Sequence, residues 1–161
     1  MHILPRTRRL TLTLPDARTL SFATYGTPSD PPLVFLHGFP SSRLEIAAIS
    51  PRLVSLGLYV IAPDRPGFGA SSPLRGRTIA KYPDDIAVLL DHLGIARTAL
   101  LGGSGGGPYA LACAGERVAA LGVLAGAAPW TAGVKMHLAD RWFRWCIRTV
   151  PGLVAARVDA A

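Results

Sequence analysis

Hydrophobic and polar residues alternate near the start of the chain, and further along they form continuous apolar runs. Leucine occupies every second position over 10–14, which predicts a half-buried strand, and a Pro-Asp turn leads into a second strand over 19–25. The apolar runs at 33–37 and 58–63 are typical of strands that are covered on both faces. The pattern therefore predicts a hairpin followed by buried strands.

Segments with the sequence signals of helices lie between these strands. Ser42 and Glu45 have the spacing of a capping box, which predicts a helix that begins near Arg43. It is expected to be interrupted or ended near Pro51, with a second short piece that runs to Leu56 and has Gly57 after it. A second helix is predicted over 83–94, because a proline suits its first turn, apolar residues recur at helical intervals, and a glycine ends it.

The alternation of strand and helix continues along the chain. Residues 98–101 predict a strand, residues 108–114 a helix of small residues, and residues 118–124 a last strand. Strands that alternate with helices through short loops are typical of parallel strands joined by right-handed crossovers. The fold class is therefore predicted to be α/β, with a mostly parallel, helix-covered sheet of six strands.

Composition and charge narrow the function classes. A chain of 161 residues that is 50% hydrophobic fits one domain and excludes intrinsic disorder. Its 17 Lys and Arg against 10 Asp and Glu give a net charge of +7. The arginines are scattered and form no stripe of alternating aromatic and basic residues, so the excess is interpreted as solvated surface and not as a nucleic-acid site.

Cysteine usage and hydropathy bear on the compartment. Cys113 and Cys146 lie far apart and outside any CxxC pattern, which favours reduced thiols over a disulfide framework. No apolar segment of a signal peptide follows the first charges, and the uncharged stretches 98–115 and 118–134 contain too much Gly and Pro for a membrane span. We expect a soluble, cytoplasmic protein with no membrane span.

The most informative motif is G-x-S-x-G at 102–106, which lies between a predicted strand and the helix that Pro108 opens. A nucleophile on a sharp strand-to-helix turn needs small neighbours, and the helix start offers amide donors to an oxyanion. The alternative is a flexible glycine turn, but the strand–turn–helix context favours a nucleophile elbow at Ser104. The Walker loop and the dinucleotide-binding fingerprint are the two phosphate-binding patterns to consider, and neither fits. Pro108 and Tyr109 stand where a Walker loop needs Lys and Ser or Thr, and the glycines at 102–107 do not fall at the first, third and sixth positions of the fingerprint.

Three segments together resemble the α/β-hydrolase fold superfamily: HGFP at 37–40, DRPGFGAS at 64–71 and GGSGGGPYALACA at 102–114. The resemblance covers roughly residues 10–130. Within the superfamily, the sequence is similar to the cap-bearing hydrolases of the proline iminopeptidase and epoxide hydrolase neighbourhood.

The resemblance implies roles for individual residues. Ser104 is the implied nucleophile, and the backbone N–H groups of Phe39 and Gly105 are the implied oxyanion hole. His37 is expected to be a structural turn residue and not the catalytic base. The expected structural motif comprises His37, Gly38, Pro40, Asp64, Gly102 and Gly106, and the resemblance implies neither a metal nor a cofactor.

Serine at the elbow also indicates a reaction class. Epoxide hydrolases and dehalogenases have Asp there, so Ser104 favours hydrolysis of an ester, thioester or amide bond in a small-molecule substrate through an acyl-serine. The family order is Ser, then an acid, then His. Downstream of Ser104 the only histidine is His137, and the acids are Glu116, Asp140 and Asp159. None occupies the family position, so we expect the acid and the histidine of the triad to be missing from this chain.

The resemblance also implies a domain organisation. Residues 1–128 are expected to be the N-terminal part of the core, with six of the family's eight strands, and residues 129–161 the start of a helical cap in which the chain is truncated. The segment 135–150 is interpreted as an amphipathic cap helix, with a membrane-surface helix as the alternative. An exposed sixth strand and cap hydrophobics would favour self-association. The alternative function is therefore a catalytically inactive fragment or a partner-binding module.

Overall fold

One mixed sheet organises the computed structural model, which describes residues 9–126. Its strands are β1 (Leu10–Thr13), β2 (Thr19–Tyr25), β3 (Pro32–Leu36), β4 (Tyr59–Pro63), β5 (Thr98–Gly103) and β6 (Val118–Leu124). Its α-helices are α1 (Ser50–Ser55), α2 (Tyr82–His92) and α3 (Gly107–Ala112), with short 3-10 turns at Glu45–Ala48, Ile79–Lys81 and Ser104–Gly106.

The chain divides into two units, Met1–Ala127 and Ala128–Ala161. The cap predicted at 129–161, with its amphipathic helix, lies outside the described residues. Within the part that is described, no helix is long and apolar enough to cross a membrane.

The strand order in the sheet is β1-β2-β4-β3-β5-β6. The pairs β1–β2 and β2–β4 are antiparallel, and the other pairs are parallel, which confirms the hairpin and the mostly parallel sheet. Leu36 at the end of β3 lies opposite Gly102 of β5. The loops after these two neighbouring strands lead to opposite sides of the sheet, and such a switch point leaves a crevice at the carboxyl ends of the strands.

Both faces of the central strands are buried, which explains their continuous apolar runs. On one face, Leu36 and Ile61 belong to a core cluster that includes residues of α2 and α3. On the other face, Phe35 and Val60 pack with the α1 side of the molecule. Because side chains alternate between faces along a strand, each apolar residue in the run contributes to one core or the other.

The helix predicted to begin near Arg43 is wrong in its start. The Glu45 carboxylate does not cap a helix but accepts a hydrogen bond from the Gly38 N–H at 2.9 Å, and the segment that begins at Glu45 is a short 3-10 turn. The second short piece predicted after the interruption is present as α1 (Ser50–Ser55), with Pro51 in its first turn. A proline is tolerated there because the first N–H groups of a helix have no intrahelical partner.

A buried ion pair ties the hairpin to α2. Both terminal nitrogens of Arg18 donate to the carboxylate of Asp85, at 2.9 and 2.6 Å. The Asp85 side chain is only 7% exposed. Bidentate pairs of this kind are among the stronger polar contacts in proteins, and here the pair fixes the first strands against the first turn of α2.

We expect Asp85→Asn to lower the free energy of unfolding by about 2 kcal/mol, because it neutralises the buried carboxylate that accepts two hydrogen bonds from Arg18. Asp91→Asn is the matched control, since Asp91 lies in the same helix and pairs with Arg117 but is 70% exposed. Its effect should stay below about 1 kcal/mol. Urea denaturation of both variants measures the difference, and equal losses would contradict the structural importance of the buried pair.

Candidate active site

Ser104 occupies the turn between β5 and α3. Its φ is 44°, in the left-handed region that glycine adopts freely and that costs other residues conformational energy. Its side chain is exposed, although the residues on either side of the turn are largely buried. A strained, exposed serine between a strand and a helix has the backbone geometry of a nucleophile elbow.

Two glycines make this turn sterically feasible. A Cβ on Gly106 would lie 2.0 Å from the carbonyl oxygen of Leu36, and a Cβ on Gly102 would lie 2.7 Å from the carbonyl oxygen of Gly106. In both cases the added Cβ would clash with a backbone atom, so the rotation of a neighbouring side chain could not relieve the clash. The G-x-S-x-G spacing is therefore a packing requirement of the 3-10 turn that precedes α3: Gly102 must be small for the turn itself, and Gly106 for its contact with β3.

The loop after β3 lies directly over this turn. A Cβ on Gly38 would be 3.2 Å from the Cβ of Ser104, and a Cβ on Gly105 would be 3.3 Å from the backbone nitrogen of Phe39. The backbones of Phe39 and Gly105 are therefore neighbours beside Ser104. The peptide bond that follows, Phe39–Pro40, is cis.

His37 is fully buried, and both of its ring nitrogens are engaged. The Arg65 backbone N–H donates to Nε2 at 3.0 Å, so the proton of the ring lies on Nδ1, which donates to the Gly38 carbonyl oxygen at 2.8 Å. Burial, together with the nearby charge of Arg65, lowers the pKa of His37 to about 4. The ring is therefore neutral near pH 7.

The loop after β4 folds around the buried carboxylate of Asp64. This carboxylate accepts hydrogen bonds from the backbone N–H and the guanidinium of Arg43, both at 2.6 Å, and from the Ala70 N–H at 3.1 Å. Gly69 must lack a side chain here, since a Cβ would lie 2.2 Å from an Asp64 oxygen. Asp64 thus links the loops that follow β3 and β4.

Sequence reasoning missed two charged residues at this site. The Glu45 carboxylate lies 3.2 Å from the position of a Cβ on Gly103, next to the elbow, but its spacing from Ser42 suggested a helix cap instead. Arg65 was one of many scattered arginines, yet its guanidinium lies between the rings of Phe68 and Tyr109, 4.6 and 4.7 Å from their centroids. Only its place beside Asp64 in the loop motif could have singled it out.

The described residues do not bring a histidine to Ser104. Residues 9–126 contain two histidines: His37 is held by its own loop, and His92 packs edge-on against Phe22. In the same range no group of potential metal ligands comes together. Glu116, an acid considered from the sequence, is exposed just before β6. Asp140, Asp159 and His137 lie outside the described residues.

We expect the buried, neutral state of His37 to make the fold sensitive to acid. The pKa of His37 is lowered from 6.5 to about 4 in the folded chain, so the unfolded chain binds the proton more tightly. The contribution of His37 to the free energy of unfolding is therefore constant above about pH 6.5 and falls as the pH drops toward 4. The full loss is on the order of 3 kcal/mol.

Urea denaturation between pH 7 and pH 4 measures this loss. His37→Gln is the control, because glutamine can accept and donate in the same way but does not titrate. Carboxylates that titrate at low pH contribute equally to the wild type and to His37→Gln. A difference between the two proteins in the slope of the free energy of unfolding against pH is therefore due to His37. Identical pH dependence in the two proteins would contradict the prediction.

Comparison with known proteins places this geometry in a family. The sequence model of the alpha/beta hydrolase fold matches residues 31–145. The chain is 36% identical over 114 residues to the dihydrolipoyllysine-residue acetyltransferase component of the acetoin cleaving system of Pseudomonas putida, a match that covers 68% of this chain and 30% of that protein. It is 32% identical over 98 residues to a bifunctional esterase/perhydrolase of Acinetobacter calcoaceticus, covering 60% of this chain and 35% of that protein.

A solved structure extends the likeness to three dimensions. A Pseudomonas aeruginosa protein provisionally described as an epoxide hydrolase has a TM-score of 0.76 and 28% identity, and the match covers 98% of this chain and 55% of that protein. The match thus spans about half the length of this relative and about a third of the two curated ones. Since the family model matches more than half of the sequence, the chain belongs to the alpha/beta hydrolase fold family.

Proposed function

We propose that Ser104 is the nucleophile of a serine hydrolase that cleaves an ester, thioester or amide bond in a small-molecule substrate. The observation that carries this proposal is the left-handed backbone of an exposed serine at the end of β5. Its oxygen attacks the carbonyl carbon and loses its proton to a base, the leaving group departs with a proton, and water then hydrolyses the acyl-serine.

The backbone supports the charge of the intermediate in this proposal. The N–H groups of Phe39 and Gly105 form the oxyanion hole, and the proximity of their backbones beside Ser104 supports that assignment. The remaining motif residues hold the loops in place in this proposal. The contacts described above support this role for His37, Gly38, Asp64, Gly102 and Gly106, and the role of Pro40 rests on the family resemblance alone.

The residue at the elbow decides between the chemistries of the named relatives. A carboxylate nucleophile forms an ester with the carbon it attacks, whereas a serine hydroxyl accepts an acyl group. Ser104 supports acyl transfer, in line with the name of the esterase/perhydrolase relative and in contrast to the epoxide hydrolase chemistry that the structural relative's description implies.

We also propose that the acid and the histidine that would activate Ser104 are missing from this chain. Both ring nitrogens of His37 are engaged by backbone groups, His92 packs against Phe22, and the single histidine downstream of Ser104 in the sequence is His137. A serine hydroxyl without an adjacent base is a weak nucleophile. The oxyanion hole alone still accelerates acyl transfer, so a slow reaction at Ser104 is expected.

The purified chain should hydrolyse p-nitrophenyl esters slowly, and Ser104→Ala should abolish that activity. A fluorophosphonate probe should label the wild-type chain at Ser104, as mass spectrometry of the tryptic peptide would show. Ser55→Ala is the control, because Ser55 is in α1 and its hydroxyl donates to the Arg52 carbonyl, away from the elbow.

The proposed nucleophile and the proposed absence of its base can each be contradicted by a different result. Equal hydrolysis by the wild type and Ser104→Ala would contradict the nucleophile assignment. Ser104-dependent turnover at about 10 per second, the typical rate of an enzyme, would contradict the missing base.

A partner-binding module is the second candidate function, and the last strand favours it. In the described part of the chain β6 pairs with β5 alone, and Val123 and Leu124 near its end are 41% and 64% exposed. Unpaired strand edges with apolar side chains promote association with other chains. We infer that this edge mediates self-association.

Sedimentation velocity tests this inference. We expect the average mass of the wild-type chain to rise with concentration, and Leu124→Lys to reduce that rise because charge on an edge strand opposes pairing. Leu56→Lys is the matched control, since Leu56 is 59% exposed but follows α1. A monomer at every concentration, or equal effects of both substitutions, would contradict the inference.

We infer a cytoplasmic location for this function. Cys113 is a free thiol, and its pKa is raised to about 12 by burial, so it stays protonated and unreactive. A reducing compartment suits a sequence whose two cysteines lie far apart and outside any CxxC pattern.

A further inference from the structure

The backbone on both sides of Gly38 is held by charged and polar side chains. Its carbonyl oxygen accepts hydrogen bonds from Nη2 of Arg65 at 2.7 Å and from Nδ1 of His37 at 2.8 Å. Its N–H donates to the Glu45 carboxylate at 2.9 Å. Glycine has the least restricted backbone of all residues, so this loop would rotate easily without such contacts.

The contacts to the Gly38 carbonyl also fix the neighbouring amide. The peptide group between Gly38 and Phe39 is planar and trans, so its C=O and N–H point in opposite directions. An oxygen held toward Arg65 and His37 therefore fixes the direction of the Phe39 N–H. Rotation of this plane would turn the N–H away and bring the carbonyl oxygen toward the space beside Ser104.

The burial of Arg65 is costly, and packing alone does not account for it. Arg65 is only 3% exposed, and burial lowers its pKa from the ordinary value. Among the described residues, no carboxylate lies within salt-bridge distance of it, and its Nε has no hydrogen-bond partner. An apolar residue of similar size would fill the space between two aromatic rings at a lower desolvation cost.

We propose that Arg65 is a positioning residue that orients the Phe39 N–H for the oxyanion by holding the Gly38 carbonyl. Phe68 and Tyr109 stack against the guanidinium and keep its plane in place, so its donor points in one direction. Arg65 acts through the peptide and does not touch the substrate. The inference rests on the proposed function of Ser104.

Three variants of the full chain test this inference. Arg65→Met removes the donor and keeps the apolar stem. Arg65→Lys keeps a cation, but its side chain is one atom shorter than the path to Nη2, so it restores the donor to the Gly38 oxygen only in part. Arg77→Met is the matched control, because Arg77 also stacks on Phe68 but donates to the Pro66 carbonyl.

The first readout is the Phe39 amide itself, observed by NMR of the 15N-labelled chain. In Arg65→Met we expect a shifted Phe39 amide resonance, with the amides of β3 unchanged. The second readout is Ser104-dependent ester hydrolysis. Its kcat should fall about 10- to 100-fold while KM stays within about twofold, because an oxyanion donor acts on the transition state.

The kcat of Ser104-dependent hydrolysis should decrease from the wild type to Arg65→Lys to Arg65→Met, and Arg77→Met should equal the wild type. An unchanged Phe39 amide in Arg65→Met, or an altered amide with unchanged kcat, would overturn the inference. If Arg65→Met does not fold, Arg65→Lys decides, and wild-type behaviour in both readouts overturns it. Equal hydrolysis by the wild type and Ser104→Ala overturns the proposed function instead, since the NMR readout needs no nucleophile.

Discussion

The candidate site depends on one close approach of two backbone segments. The 3-10 turn before α3 meets the end of β3 so closely that a Cβ on Gly106 would lie 2.0 Å from the Leu36 carbonyl oxygen. This contact is possible only without a side chain, and it brings the loop after β3 over the turn after β5. Ser104 accepts a left-handed backbone as a consequence, because the chain must leave β5 and enter α3 within that space.

Local patterns account for what could be predicted from the sequence. The bounds of β2 and β6 agree with the prediction, because alternation and short apolar runs depend on neighbouring residues alone. The elbow at Ser104 was also predictable, since its glycines are required by backbone contacts within a few residues and with an adjacent strand. Fold class and the position of the exposed serine therefore follow from local residues and the order of strands.

Long-range contacts account for what could not be predicted. Glu45 has capping-box spacing, but the Gly38 N–H, seven residues upstream, is the group that its carboxylate accepts from. Arg65 is one cation among many in the sequence, and its burial depends on Tyr109, which the fold brings to it from α3. Propensity and spacing describe neither contact, because both partners are chosen by the packing of loops at the switch point of the sheet.

Charge and packing at this switch point support one another. A neutral His37 is required beside the buried cation of Arg65, because a second positive charge there would be repelled and poorly solvated. The same neutral ring can accept from the Arg65 N–H and donate to the Gly38 oxygen, which a charged ring with two donors cannot do. The Arg65 backbone N–H therefore has its acceptor only while His37 is neutral, and the amide arrangement over the elbow is set by these loops independently of any base that acts on Ser104.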